Sequence, residues 1–279
     1  MKSGLKGKTI VITGGSSGIG AAAARELSGR GANVVITGRS DQTKQLAREI
    51  GCEYHLVDYA DLNSVREFAE NLLEKHPKID VLVNNVGGVF ADRMTTKEGN
   101  EMTFQVNHLA GFMLTLLLKE RLEKSFAMVI NTSSMANVMG KIKLKDFQNE
   151  KSYSSMKAYG RAKLMNILHA MEVVNRFQGV KAGSFHPGVV STGFAREGGF
   201  FAKLFYNTPL KTLFMISPEK GADTLIWMVT NPDKWKTGEY YYKRKPGKKN
   251  SQISDKLAWK LWERSEKLVN LAMTKKVDQ

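Results

Sequence analysis

A single cysteine, Cys52, leaves no partner for an internal disulfide in this 279-residue chain, and that fits a reducing compartment. Long apolar runs are missing too: the longest strongly apolar stretch, FMLTLLL, is far short of the roughly 20 residues a membrane-crossing helix needs. The N-terminal MKSGLKGKTIVITGG has lysines but no apolar core ahead of its glycines, which predicts no secretory signal. No linker rich in Pro, Gly or Ser, no low-complexity tract and no repeat divides the chain. The expectation is one domain over 1–279, cytoplasmic, and soluble or at most peripheral to a membrane. Acidic residues are also scarce, 27 against 42 Lys and Arg, giving a net charge of +15. That excess invites anionic partners such as nucleotide phosphates or acidic lipids. The densest basic run, KRKPGKK at 243–249, reads as a solvated loop, with weak attraction to a membrane surface as its rival. Nucleic acid is not expected as a partner.

What the chain does have is an alternation of apolar runs and helical patterns. TIVITGG is rich in β-branched residues, ends in TGGSSGIG, and is followed by the helical pattern AAAARELSGR. In this strand, glycine turn and helix, Gly14, Gly18 and Gly20 allow a tight bend and close approach of a ligand. The helix start after them offers free N–H groups to phosphate. The turn therefore predicts a dinucleotide site, although its spacing is Gly-x-x-x-Gly-x-Gly and not Gly-x-Gly-x-x-Gly. A second strand, NVVITGRS, ends at Gly38, Arg39 and Ser40, where an acid would bind ribose hydroxyls and an arginine a 2′-phosphate. Arg39 favours NADP(H) over NAD(H), and nearby Asp41 keeps the second choice open. Further apolar strands end at Asp58 and at Asn84, Asn85 and Gly87. Repeated units of this kind predict an α/β fold with a parallel sheet covered on both faces and ligands at the carboxyl ends of its strands.

SYSSMKAYGRAK, residues 152–163, contains Tyr-x-x-x-Lys twice, as Tyr153 with Lys157 and as Tyr159 with Lys163. Either pair would share a helix face, but the two pairs are rotated by roughly 240° and do not address one ligand together.

In order along the chain, TGGSSGIG, NNVG, NTSS, Tyr-x-x-x-Lys and HPGVVST make the sequence resemble the short-chain dehydrogenase/reductase family, from about Lys6 to the terminal helix. FQVNHLAGFMLT, HPG and KLWERSEKLV make it similar to the retinol-dehydrogenase-like branch. The resemblance implies a single Rossmann-type doubly wound parallel sheet of about seven strands and an oxidoreductase interconverting a carbonyl and an alcohol. It selects Tyr159 and Lys163, because Ala162 precedes the lysine and the apolar-periodic LMNILHAMEVV follows it. Tyr153 is then a loop or pocket-rim residue.

A tyrosine titrates near pH 10 when free; a neighbouring ammonium favours its phenolate, and together with the nicotinamide's positive charge in the oxidised complex it is expected to bring the pKa toward the working range. By resemblance, Tyr159 is the proton donor or acceptor and Lys163 also holds the nicotinamide ribose. Ser134, with Ser133 as the alternative, hydrogen-bonds the reacting oxygen, and Asn107 anchors a water relay to the lysine. The cofactor set implied is Gly14, Ser16, Ser17, Gly18, Ile19, Gly20, Arg39, Asp58, Tyr59, Asn85, Val86, Gly87, Tyr159, Lys163, Pro187, Gly188, Val190 and Thr192, with no metal. Val86 stands where the family usually has alanine, a crowding expected to be tolerated. His186 is expected to be structural.

The aromatic segment GFAREGGFFAKLFYNTPLKTLFM is expected as a lid at about 193–216 over a pocket for a lipophilic substrate, or else as packing on the core or a second subunit. ISDKLAWKLWERSEKLVNLAM predicts a helix at about 253–273 whose Leu257, Leu261, Trp262, Leu268 and Leu271 close the domain or contact a second copy in a homodimer. The competing functional class is a catalytically silent NADP-binding scaffold or a regulatory protein at a membrane surface. Retention of Ser, Tyr, Lys and Asn speaks against it.

Overall fold

In the computed structural model, residues 4–188 and 216–274 are described. Seven strands run parallel: β1 (Thr9–Ile12), β2 (Asn33–Gly38), β3 (Glu53–Leu56), β4 (Val81–Asn84), β5 (Met128–Thr132), β6 (Lys181–His186) and β7 (Tyr240–Tyr242). An eighth, β8 (Lys245–Pro246), pairs antiparallel with β7, and the order across the sheet is β3-β2-β1-β4-β5-β6-β7-β8. This is the doubly wound parallel sheet that the resemblance implied, with one short antiparallel strand added at the edge.

The helices are α1 (Gly18–Gly29), α2 (Asp41–Ile50), α3 (Leu62–Lys75), α4 (Ala110–Leu117), α5 (Lys119–Lys124), α6 (Ser155–Arg176), α7 (Pro218–Thr230) and α8 (Asp255–Thr274). Alternation along the strands assigns them to faces. Ile10 and Ile12 of β1 pack with Ala21–Ala24 of α1 and Leu225 and Met228 of α7, whereas Val11 joins the cluster of α3, α4, α6 and α8. The four alanines let α1 lie close to the sheet beside the glycine turn. Strand β3 departs from the apolar expectation: at the sheet edge, Tyr54 and Leu56 are exposed.

Leu261 and Trp262 are buried, with Leu257 and Leu268 packed against the same core, so these four residues of the apolar stripe close the chain's own core. Trp262 meets Phe112 edge-on at 4.7 Å between ring centres. Among the described residues, no helix is long and apolar enough to cross a membrane.

The basic run 243–249 is a turn, the two-residue strand β8 and then irregular chain, so the expected loop holds apart from that short strand. Lys243 and Arg244 turn between β7 and β8 with left-handed φ values of 50° and 61°, a geometry glycine or asparagine adopts with less strain. Two of its cations are paired: Arg244 Nε donates to Asp223 at 2.8 Å, and Lys249 lies 2.6 Å from Glu239.

Three histidines are buried: His108 between α4, α6 and α8, His169 on α6, and His186 at the end of β6. Burial lowers the pKa of His108 and of His186 to about 4, and the same cause holds His169 well below the ordinary histidine value. The unfolded chain binds protons below about pH 6.5 that the folded one refuses down to about 4, so stability is intact above 6.5 and falls as pH drops toward 4. His108 and His186 each set a limiting loss of about 3 kcal/mol. Urea unfolding between pH 7 and 5, above the range in which the carboxylates titrate, is expected to show a steadily falling midpoint; a flat midpoint would refute this origin.

Candidate active site

At the carboxyl ends of β1, β4, β5 and β6 a cleft of about 1130 Å³ runs from Gly38 and Arg39 to His186–Gly188. The glycine turn forms its floor. Gly14 and Gly18 have left-handed φ of 62° and 53°, and a Cβ on Gly20 would stand 2.2 Å from the Gly14 carbonyl oxygen. Asn85 and Thr37 brace the turn: Asn85 Nδ2 donates to the carbonyls of Thr13 (3.0 Å) and Gly14 (3.2 Å), and Thr37 Oγ1 accepts from Gly14 N. Gly20→Ala is expected to destabilise the fold by about 1–3 kcal/mol and to abolish dinucleotide binding, because the obstacle is backbone. Chemical denaturation and a cofactor titration check both.

The cleft fits a dinucleotide by its own chemistry. Ser17 precedes α1 without using its hydroxyl to cap the helix, and no acid stands in the first turn, so the helix start faces the cleft without a competing carboxylate. Ser16, Ile19, Arg39, Asp58 and Val86 line the same cleft. Arg39 is exposed at the end of β2. Asp41, the residue that kept NAD(H) open, lies 2.9 Å from Lys44, and Gly38, Arg39, Ser40 and Gln42 line the cleft around it. Val86 sits against the turn, its Cγ2 3.1 Å from where a Gly14 Cβ would be. Tyr59 also borders the cleft, but its side chain is buried and its hydroxyl bonds Thr37 at 3.0 Å, a brace beneath the turn. Val190, Thr192 and the expected lid, apart from Ile216, lie outside the described residues.

Tyr159 and Lys163 stand on α6 one turn apart, buried and bordering the cleft, with Lys163 Nζ 5.4 Å from the Tyr159 ring centre. Lys163 Nζ donates to the Thr132 carbonyl at 3.2 Å. Tyr153 lies in the loop before α6, hydrogen-bonding to Thr103 Oγ1 at 3.0 Å and to the Phe90 carbonyl at 2.8 Å, a pin between chain segments. Lys157 is exposed.

The two serines separate cleanly. Ser133 Oγ is buried and donates to the Lys163 main-chain carbonyl at 2.8 Å. Ser134 borders the cleft, stands close enough to the Tyr159 phenol to act on its ionisation, and accepts from Ala136 N at 3.2 Å, so it is also the cap of the turn that follows β5.

Asn107 lies in a π-helical turn, Gln105–Leu109, ahead of α4. Its amide clamps the strand-end loop by accepting from Gly88 N at 3.1 Å and donating to Gly88 O at 2.9 Å. Gly87 has no room for a side chain there: a Cβ would lie 2.5 Å from Asn107 Oδ1 and 2.8 Å from Lys163 Nζ. His186 stacks on Tyr242 with ring centres 4.7 Å apart and accepts from Gly188 N at 3.2 Å, so it shapes the HPG turn.

Burial raises the Tyr159 pKa above the ordinary range, with the neighbouring Ser134 hydroxyl opposing it, and burial brings Lys163 down to about 7. Desolvation therefore keeps the phenol protonated at neutral pH.

An apolar wall that the sequence reading missed faces the Tyr159 side of the cleft: Met135, Val138, Met139 and Met156, each at least 37% exposed. Methionines in such a sequence read as core, and only their exposure marks them.

A family model described as short chain dehydrogenase matches residues 8–199. A protein of Streptomyces sp. (strain C5), provisionally named daunorubicin C-13 ketoreductase DnrU, is 42% identical over 94% of this chain and 92% of its own. Human retinol dehydrogenase 13 is 34% identical over 97% of this chain and 87% of its own. Among solved structures, an uncharacterised protein from Mycobacterium paratuberculosis superposes with a TM-score of 0.77 at 29% identity, covering 95% of this chain and 94% of that one.

Proposed function

The chain belongs to the short-chain dehydrogenase family, and on that premise we propose an NADP(H)-dependent enzyme that interconverts an aldehyde or ketone and an alcohol on a lipophilic small molecule. Membership makes it an oxidoreductase of keto and alcohol groups using a nicotinamide cofactor; the preference for NADP(H), the substrate class and the side-chain roles are our reading. The observation that carries it is the buried Tyr159, one turn from Lys163 and sharing with Ser134 the end of a cleft that begins on the glycine turn.

The glycine turn and the start of α1 would hold the pyrophosphate, Arg39 the 2′-phosphate, Asp58 the adenine edge and Lys163 the nicotinamide ribose, with Pro187 and Gly188 at the nicotinamide end. When bound, the cofactor supplies or accepts the hydride. Tyr159 Oη gives its proton to the substrate oxygen in reduction or takes one in oxidation, and burial, by keeping the phenol protonated, prepares it as a donor. Ser134 Oγ, held by its cap to Ala136, donates to the same oxygen and stabilises the charge that develops there. Lys163, when protonated, brings a positive charge beside the phenol that favours its ionisation in the oxidising direction.

The methionine wall supports an apolar substrate, since thioether side chains adapt to irregular apolar shapes. Met135→Ser with Met139→Ser is expected to raise KM for long-chain aldehydes about 10-fold and leave short ones nearly unchanged. NADPH consumption against a panel of lipophilic aldehydes and ketones tests the whole reading. Dinucleotide binding with no turnover of any of them would return the protein to a binding role.

A further inference from the structure

Lys163 is placed through a chain of buried polar groups that crosses to the C-terminal helix. Asn166, one turn beyond Lys163 on α6, donates from Nδ2 to two main-chain carbonyls, Thr132 and Asn107, each at 3.0 Å. The Thr132 carbonyl is the one that also receives Lys163 Nζ. Carbonyls only accept, so the amide can face them only with its nitrogen, and Oδ1 is turned to His108 Nδ1 at 3.2 Å. That nitrogen must then carry the proton. Burial holds the ring neutral, so Nε2 accepts, and its partner at 3.2 Å is the hydroxyl of Ser265 on α8. Lys163 is the charged group that acts on His108; His169 stands 5.9 Å away and is itself lowered by His108, while Phe104 and Phe112 flank the His108 ring. Asn166, His108 and Ser265 are all buried, so no water substitutes for a missing partner without rearrangement.

We propose that Asn166, oriented by His108 and Ser265, is a positioning residue that sets where the Lys163 amine stands. The proposal rests on the role given above to Tyr159 and Lys163, but its geometry holds in the ligand-free protein. Asn166 secures the end of β5 and the π turn at once, and these two segments carry Ser134 and Asn107. Through it, α8 becomes a strut of the site although it does not border the cleft. If the Ser265 hydroxyl were lost, His108 would be free to move its proton to Nε2. Its bare Nδ1 would then face Asn166 Oδ1, and turning the amide to relieve that contact would set oxygen against the Thr132 and Asn107 carbonyls.

The test is heteronuclear NMR on the full-length, ligand-free protein. With 15N-histidine labelling, wild-type His108 is expected to show the Nδ1–H tautomer at pH 7; the Nε2–H tautomer would overturn the proposal. With 13C-lysine labelling, and Lys163 assigned by the signal lost in Lys163→Arg, Asn166→Asp is expected to raise the Lys163 titration midpoint by about one pH unit or more. Both side chains bond one oxygen, which keeps a carboxylate at 166 within about 6 Å of the amine. A midpoint unmoved in the folded variant would show Asn166 to be merely structural. Should Asn166→Asp not fold, Ser265→Ala is read in its place: a midpoint moved by about half a unit sustains the strut, and an unmoved one removes it. Because no substrate is present, these outcomes stand apart from whether a carbonyl compound is turned over.

Discussion

Tyr159→Phe is expected to lower kcat roughly 10³-fold while leaving dinucleotide affinity within about threefold of wild type. The substitution removes one oxygen and keeps the ring against α6, so the fold should be undisturbed, and Lys163 keeps its bond to the Thr132 carbonyl. What disappears is the phenol that shares the end of the cleft with Ser134 and Lys163. Tyr153→Phe is the matched control. Its hydroxyl pins Thr103 to the Phe90 carbonyl, so its loss should lower stability by about 1 kcal/mol and change turnover little. Steady-state NADPH oxidation by the three proteins, with cofactor binding followed by fluorescence, decides the matter. Equal loss in both variants, or loss in Tyr153→Phe alone, would refute the assignment of the proton donor.

The second large effect concerns the cofactor. Arg39→Asp is expected to weaken NADPH binding about 100-fold and leave NADH within about threefold, since a charge-assisted contact to the 2′-phosphate is replaced by repulsion worth about 3 kcal/mol in all. Arg39 is exposed at the end of β2, so the change should leave stability nearly unaltered. Asp41 offers no rescue for NADH, because it is engaged with Lys44 in the first turn of α2. Competitive titration of the two cofactors against wild type and variant measures the ratio. An unchanged ratio would place the selecting residue elsewhere.

Much of the fold and of the cofactor side was legible because it is written locally. The glycine turn, the strands around it and the i,i+4 pair Tyr159 and Lys163 each lie within one short window, where period and spacing report geometry. Ser133 and Ser134 were not separable in this way, since both end β5 and only tertiary contact shows one bonded inward to the Lys163 carbonyl and the other facing the cleft. The methionine wall was invisible because apolar residues are assigned to the core by default. Nor could spacing reveal the path from Asn166 through His108 to Ser265, whose members are far apart in sequence and meet only after the sheet has formed. Nor was the extent of burial around the Tyr159–Lys163 pair legible. Proximity is readable from a helix, but the desolvation that opposes it depends on everything packed around the pair.

The strand order carries a consequence for how the chain reaches this state. Strand β1 lies between β2 and β4, with Ile10 beside both Val34 and Val81, so one of its two edges stays bare until the fourth strand arrives. During synthesis that edge, made of fully buried aliphatic residues, is open to any other strand in reach, and the glycine turn has no Asn85 to brace it. Pairing across such a sequence distance is slow compared with the closing of α1 onto β1. Nascent chains stalled before residue 81 should therefore be the most aggregation-prone species this protein forms.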